Sequence, residues 1–179
     1  MTFEALGLAP ALLRALADNN YATPTPIQAD AIPLVLAGHD VLGGAQTGTG
    51  KTAAFALPVL NRLSKLTPPA GPRKPRALVL VPTRELAVQV ADSFKTYGRH
   101  LKLNVTTLFG GVGMQPQIEQ LRRGVDVLVA CPGRLIDHLD RGSVKLDAIE
   151  VLILDEADRM LDMGFLPAIK RVINRLPKE

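Results

Sequence analysis

A glycine-rich stretch that ends in lysine and threonine carries the clearest chemical signal in this sequence. Ala45-Gln46-Thr47-Gly48-Thr49-Gly50-Lys51-Thr52 joins an apolar stretch, 40–44, to a helix-forming one. Glycines let successive backbone N–H groups turn toward one anion, and a helix N-terminus adds partial positive charge. Lys51 can bridge the terminal phosphates of a nucleotide, and the Thr52 hydroxyl can ligate Mg²⁺. The pattern predicts a phosphate-binding loop, although Ala45 stands where the usual motif has glycine; the alternative is a turn without ligand.

Two adjacent acidic residues form the second chemical signal. Asp155 and Glu156 directly follow the apolar stretch 151–154, which predicts a strand ending at the first acid. The first carboxylate can lie toward a magnesium ion bound to Thr52, and the second can orient or deprotonate an attacking water. The alternative is helix capping, because acids are favoured at helix N-termini. Together with the phosphate-binding loop, the pair favours nucleotide hydrolysis.

Apolar strands and amphipathic helices alternate along the chain, and this alternation predicts the elements that position both signals. The predicted strands are 40–44, 77–81, 105–109, 125–130 and 150–154. The predicted helices are about 10–20, 27–37, 53–66, 84–97 (capped by Thr83), 115–123, 134–139 and 159–176, the last with a break at Gly164.

The predicted strands are apolar on both faces, which indicates an α/β fold with a parallel sheet and helices on each side. Ligand sites in such sheets lie beyond the carboxyl ends of the strands. The motifs of interest each follow a strand directly, at 45–52, 82–87, 110–111, 131–134 and 155–158. We therefore expect these motifs to meet at one edge of the sheet.

Bulk composition indicates one ordinary globular domain of 179 residues without internal repeats or a second domain. The formal charge of +4 suits a polyanionic partner without demanding one. The single cysteine excludes an internal disulfide and fits a reducing compartment, and the N-terminus lacks a signal-peptide pattern. No apolar run approaches membrane-spanning length, so we expect a cytoplasmic protein without membrane contacts. Tryptophan is absent, which argues against an aromatic stacking platform for bases.

Motifs in a familiar order along nearly the whole chain resemble those of the DEAD-box family of ATP-dependent RNA helicases, and are similar to the bacterial RhlE type. Asp155-Glu156-Ala157-Asp158 spells the family name, and the stretch 45–52 matches the first family motif, alanine included. Thr23-Pro24-Thr25-Pro26-Ile27-Gln28 matches the adenine-reading motif. The two further matches are Pro82-Thr83-Arg84-Glu85-Leu86-Ala87 and Gly110-Gly111.

The resemblance implies a RecA-like P-loop NTPase fold, a three-layer sandwich around a parallel sheet, over 1–179, with the adenine-reading region inside 1–28. It implies ATP and Mg²⁺ as cofactors, RNA as a partner, and a second RecA-like lobe of the same protein; we expect a monomer. ATP hydrolysis in the paired lobes would be coupled to local unwinding of an RNA duplex.

The resemblance also assigns roles to single residues. Tyr21 would stack on adenine, and Gln28 would bind the adenine edge, although by itself Gln28 suggests an ordinary exposed helix residue. The phosphates would bind Gln46, Thr47, Gly48, Thr49, Gly50, Lys51 and Thr52. Lys51, Asp155 and Glu156 would be catalytic, Thr52 and Asp155 would hold Mg²⁺ largely through water, and Asp158 would couple motifs. The RNA backbone would contact Pro82, Thr83, Arg84, Gly110, Gly111, Cys131, Gly133 and Arg134.

Two departures from the family pattern affect these expectations. Cys131 stands where the family usually has threonine, and a thiol is a weak hydrogen-bond donor, so one phosphate contact is in doubt; the alternative is a cysteine buried at a strand end. The sequence also stops at Glu179, before the family's Ser-Ala-Thr motif and second lobe. We therefore expect residues 1–179 to be an incomplete lobe, poorly stable and nearly inactive alone.

Two other classes of function remain as alternatives. One is a different P-loop enzyme, a GTPase or small-molecule kinase, although the sequence contains no Asn-Lys-x-Asp guanine-reading motif. The other is a lobe that binds nucleotide or RNA without turnover, because the arginine fingers of the second lobe would be missing. Competition between ATP and GTP separates the first alternative, and RNA-dependent ATPase activity separates the second.

Overall fold

The computed structural model describes residues 2–21, 23–36, 51–65 and 73–177 of the chain. The helices in these ranges are α1 (Pro10–Asp18), α2 (Pro26–Leu36), α3 (Lys51–Lys65), α4 (Arg84–Tyr97), α5 (Met114–Arg122), α6 (Pro132–Arg141), α7 (Ala157–Asp162) and α8 (Leu166–Asn174), with a short 3-10 helix at Glu4–Leu6. The strands are β1 (Ala77–Leu80), β2 (Val105–Leu108), β3 (Val127–Ala130) and β4 (Val151–Leu154).

The order of elements confirms the predicted alternation of strands and helices wherever the chain is described. Strand ends differ by up to two residues from the predicted limits, as at β3, which begins at Val127 rather than Val125. The predicted break at Gly164 is present, since this residue separates α7 from α8 with a φ of +81°. The predicted strand 40–44 and the loop 45–50 lie outside the described residues.

The described strands form an all-parallel sheet in the order β2-β3-β1-β4. The register pairs Leu80 with both Ala130 and Leu154, and pairs Leu108 with Ala130, so the strands end at the same level. Hydrogen bonds continue one residue further, because Cys131 N donates to Leu108 O and Asp155 N donates to Leu80 O, each at 2.9 Å. The chain segments after these strands therefore leave one edge of the sheet side by side.

The chain forms two compact units, and the sheet lies in the unit made of Pro68–Ala91 and Leu103–Glu179. Strands β1 and β3 are buried at every position, as expected for central strands of a helix-covered parallel sheet. Helix α6 buries Leu135, Ile136 and Leu139, which share one face at helical spacing, in the same apolar cluster as Ile169 and Val172 of α8. Full burial of one such side chain stabilises the fold by about 1.5–3 kcal/mol.

The other unit consists of Met1–Thr67 and Asp92–Lys102. Its apolar interior includes Leu12 of α1, Ile32 of α2 and Leu57 of α3, all fully buried. The Ala9 N–H donates to Asn61 Oδ1 at 2.8 Å and so ties the start of α1 to α3. In the part of the chain that the structure describes, no helix is both long and apolar enough to cross a membrane.

Candidate nucleotide and RNA site

The phosphate-binding residues are described only at the end of the predicted loop. Lys51 begins helix α3, and Thr52 lies in its first turn with a partly exposed side chain. This agrees with the predicted change from loop to helix at the Gly-Lys-Thr sequence. Residues Gln46, Thr47, Gly48, Thr49 and Gly50 lie outside the described ranges.

The chain ends helix α1 with Asn20 in the left-handed conformation, and Tyr21 follows directly. Asn20 has a φ of +60°, its N–H donates to Ala17 O, and the N–H of Tyr21 donates to Leu16 O at 2.9 Å. This pair of bonds is the Schellman motif, which fixes the direction of the chain after a helix. The Tyr21 side chain is half exposed, with its ring centroid 6.1 Å from that of Tyr97. An aromatic surface is thus held in a set place and remains accessible to another planar ring.

Gln28 is buried, so the expectation of an ordinary exposed glutamine is wrong. Its Oε1 accepts a hydrogen bond from the Thr25 N–H at 3.0 Å, and its own N–H donates to Thr25 Oγ1 at 3.4 Å. Thr25 and Gln28 therefore form a capping box at the start of α2. The cap fixes the orientation of the glutamine amide.

Asp155 and Glu156 follow β4 at the carboxyl edge of the sheet. Asp155 is buried, whereas the Glu156 side chain is 20% exposed and lies 3.5 Å from the Arg159 guanidinium. Glu156 has a φ of +54° and a ψ of +50°, a left-handed conformation that costs a non-glycine residue about 1–2 kcal/mol. Such backbone strain at a predicted catalytic residue supports a functional role, since strained residues cluster at active sites.

The segments after β1 and β2 place an arginine against an aromatic ring. Thr83 Oγ1 accepts a hydrogen bond from the Leu86 N–H at 3.2 Å, which confirms that Thr83 caps α4 and leaves its hydroxyl proton available to a ligand. The guanidinium of the exposed Arg84 lies 5.0 Å from the centre of the Phe109 ring. A Cβ on Gly111 would lie 3.7 Å from an Arg84 nitrogen, but the φ of +80° is what requires glycine there. Arg84 and the glycine pair are therefore brought together.

Arg134, in the first turn of α6, is held mainly by the protein. Its Nη1 donates to Val112 O at 3.0 Å and to Gln117 Oε1 at 3.2 Å, and its Nε lies 3.6 Å from Asp137 Oδ2. Guanidinium has five donors, so Nη2 can still serve a ligand. Gln117 Oε1 also lies 2.9 Å from Nε2 of His138, whose side chain is fully buried. Burial lowers the pKa of His138, and the positive charge of Arg134 lowers it further.

Cys131 and Gly133 lie at the N-terminus of α6. Cys131 is the N-cap residue and is only partly buried, so the alternative of a cysteine buried at a strand end is wrong. Its thiol makes no capping hydrogen bond, and burial raises its pKa to about 11, with a smaller contribution from Glu85. A Cβ on Gly133 would meet no atom within 4 Å. The open space beside the unpaired N–H groups of this helix turn can admit an anion.

Sequence reasoning missed three residues that shape this edge: Phe109, Gln117 and His138. A signal for Gln117 was present, because it precedes the buried Leu121 by four residues and so shares the buried face of α5. His138 carried no such signal beyond its place on amphipathic α6. Among the described residues, no cluster of three or more His, Cys, Asp or Glu side chains could hold a metal ion.

A parallel α/β sheet whose carboxyl edge gathers acids, arginines and glycines is an architecture of nucleotide-binding proteins. The family model described as DEAD/DEAH box helicase matches residues 25–179, and this chain belongs to that family. The match includes both the segment that begins at Thr25 and the acidic pair after β4.

Proteins named as RNA helicases are similar over almost the whole chain. The ATP-dependent RNA helicase DeaD of Mycobacterium tuberculosis (strain H37Rv) is 49% identical over 99% of the chain and 31% of its own length. RhlB of Pseudomonas syringae is 47% identical, with 98% of the chain and 45% of the relative covered. The DEAD-box ATP-dependent RNA helicase 52A of Oryza sativa is 46% identical, with 97% and 31% covered. The chain thus spans about a third to a half of the length of these relatives.

Proposed function

We propose that this chain is the N-terminal, ATP-binding lobe of an ATP-dependent RNA helicase, which works with a second RecA-like lobe of the same protein. The observation that carries this proposal is the convergence of the segments after β1, β2, β3 and β4 at one edge of the sheet. These segments contain Thr83, Gly111, Arg134 and Glu156 respectively. The acidic residues proposed for ATP hydrolysis and the residues proposed to bind RNA therefore lie at the same edge of one sheet.

On the nucleotide side, Tyr21 stacks on adenine and Gln28 binds its edge. An amide suits adenine because it donates and accepts hydrogen bonds side by side. The backbone of 46–50 and the side chain of Lys51 bind the phosphates, and Glu156 orients or deprotonates the attacking water. The Schellman motif before Tyr21 and the capping box at Gln28 support these roles, since the first fixes the direction of the chain at Tyr21 and the second fixes the orientation of the Gln28 amide.

The donors assigned to magnesium fit that ion chemically. Asp155 offers a carboxylate buried at the edge of the sheet, and Thr52 offers a hydroxyl in the first turn of α3; both are hard oxygen ligands. The two side chains would hold Mg²⁺ largely through water. When bound, the ion would supply neutralising charge to the phosphate oxygens.

On the RNA side, the groups at the sheet edge suit a sequence-independent grip on phosphates and riboses. Backbone N–H groups at the first turn of α6, near Gly133, can bind a phosphate, and the guanidinium groups of Arg84 and Arg134 can contact others. The hydroxyl of Thr83 keeps its proton for the same purpose. Pro82, Gly110, Gly111 and Cys131 complete this track, which selects the nucleic acid backbone rather than a base sequence.

The direct test is the ATPase activity of the intact protein with and without single-stranded RNA, together with a Glu156→Gln variant. We expect RNA to stimulate hydrolysis, and the variant to lose about 10²–10⁴-fold in kcat while it still binds ATP. Glu119→Gln, at an exposed position on α5, removes the same charge elsewhere and should behave as the wild type. Wild-type turnover in Glu156→Gln would overturn the catalytic assignment.

Competition experiments separate this proposal from the other functions that the residues allow. A lobe that prefers GTP would point to another P-loop NTPase, and RNA binding without any ATP turnover in the intact protein would point to a non-enzymatic module.

Our proposal includes a monomer that acts in the cytoplasm, with residues 1–179 as one RecA-like domain. The single cysteine, which avoids dependence on a disulfide, supports that location.

A further inference from the structure

The side chain of Gln117 lies behind the RNA-binding edge and bonds to two segments that follow different strands. It is buried, although it belongs to the largely exposed helix α5. Its Nε2 donates to Phe109 O at 3.0 Å, in the segment after β2. Its Oε1 lies 3.2 Å from Arg134 Nη1 and 2.9 Å from His138 Nε2, both on α6 after β3.

The partners leave only one orientation for this amide. Arg134 can only donate, so the atom that faces it must be the carbonyl oxygen of Gln117. The opposite face then carries the NH₂ group, which meets the carbonyl of Phe109. The same oxygen accepts from His138, whose Nε2 must therefore carry the proton. Both lone pairs of the oxygen are used, and the glutamine is locked by partners on two sides.

The hydrogen bonds of Gln117 link the two segments that are proposed to contact RNA. Phe109 directly precedes Gly110 and Gly111, and Arg134 holds Val112 O at 3.0 Å on the far side of the same pair. The glycine pair is therefore held from both ends, through Gln117 on one side and Arg134 on the other. Since Gln117 also bonds Arg134, a change at this one side chain alters the spacing between the loop and the first turn of α6.

We propose that Gln117 is a positioning residue for RNA binding, which ties the glycine pair after β2 to Arg134 at the start of α6. The inference rests on the proposed function, because it assumes that these two segments grip the RNA backbone. Gln117 itself is buried and would not touch RNA. It would set the distance between the groups that do.

The test measures RNA-stimulated ATPase activity of the intact protein carrying Gln117→Met or Gln117→Asn. Methionine keeps the length and flexibility of glutamine without its hydrogen bonds, and asparagine keeps the amide but is too short to reach both segments. We expect the RNA concentration at half-maximal stimulation to rise about tenfold in both, with kcat at saturating RNA and KM for ATP within about twofold of wild type. Gln120→Met, at an exposed position of the same helix, should change none of these values.

A double-mutant cycle with Arg134→Ala distinguishes a positioning role of Gln117 from a purely structural one. If Gln117 acts partly through Arg134, Gln117→Met should raise the half-saturating RNA concentration by only about threefold in that background. Equal fold-changes in both backgrounds would overturn the coupling to Arg134. Wild-type RNA dependence in both Gln117 variants, or a parallel rise in KM for ATP, would overturn the proposal. If the wild-type protein neither binds RNA nor responds to it, the proposed function itself fails.

Discussion

Gln28 and Thr25 each accept, through a side-chain oxygen, a hydrogen bond from the backbone N–H of the other. Gln28 Oε1 accepts from the Thr25 N–H at 3.0 Å, and Thr25 Oγ1 accepts from the Gln28 N–H at 3.4 Å. The residue that the family resemblance assigns to adenine is thus also a structural part of the α2 N-terminus. A substitution at Gln28 must therefore affect both the stability of this helix and the choice of nucleotide.

Substitution of Gln28 by Ala should erode the preference for ATP over GTP and also lower the free energy of unfolding by about 1 kcal/mol, because half of the capping box is lost. Thr25→Ala provides the matched control, since it removes the other half of the box but keeps the amide. It should lose similar stability and retain the preference. Nucleotide competition and urea unfolding measure the two effects. Equal affinity of the unmutated protein for ATP and GTP would contradict the adenine assignment.

Replacement of Glu156 by Gly should give a more stable protein than replacement by Ala. Both variants lose the carboxylate and its contact with Arg159, and they differ only in a Cβ at a residue with a φ of +54°. Relief of the left-handed strain should favour the glycine variant by about 1 kcal/mol, with both variants inactive as ATPases. Thermal unfolding of the two variants checks this. Higher stability of the alanine variant would show that the strained conformation is not retained in solution.

Replacement of Cys131 by Thr should leave RNA affinity unchanged or slightly tighter, with a somewhat steeper salt dependence if this position contacts a phosphate. The thiol, with its pKa raised to about 11, stays neutral near pH 7 and makes no capping bond. A threonine hydroxyl can cap α6, which should add up to about 1 kcal/mol of stability relative to Cys131→Ala. RNA titrations at several salt concentrations and thermal unfolding measure both effects. A clear loss of binding would mean that packing governs the position.

Replacement of His138 by Gln should make the stability of the protein less sensitive to mild acid. Burial and the charge of Arg134 lower the pKa of the folded histidine, whereas the unfolded chain has the ordinary value of about 6.5. As the pH falls through about 6.5, the unfolded state takes up the proton first, so the wild type loses at most about 1.4 kcal/mol per pH unit from this group. The loss stops once the pH is below the folded pKa.

Glutamine at position 138 can still donate to Gln117 Oε1 but does not titrate, so it isolates this effect. Urea unfolding between pH 5.5 and 7.5 gives the free energy of unfolding of both proteins. The free energy of unfolding of the His138→Gln variant minus that of the wild type should increase as the pH falls. Parallel pH profiles would show that His138 does not titrate differently in the folded and unfolded states.

The sequence alone was sufficient to predict the described helices and strands, and the edge of the sheet at which the described candidate site residues gather. Apolar periodicity, the Thr83 cap and the break at Gly164 are local signals, and each appears in the described structure. The parallel sheet followed from strands that are apolar on both faces, as β1 and β3 are. Parallel strands end at one edge, so the motifs that follow them had to lie together.

Only the tertiary structure decided which polar side chains are buried and what they bind. Gln117, Arg134 and His138 are up to 21 positions apart in sequence, and adjacent strands β2 and β3 bring their segments together. Glutamine is a residue type that is usually exposed on helices, but Gln28 is buried in a capping box. The reason is physical: burial of a polar side chain is favourable only when partners satisfy its hydrogen bonds, and those partners exist only after the chain has folded.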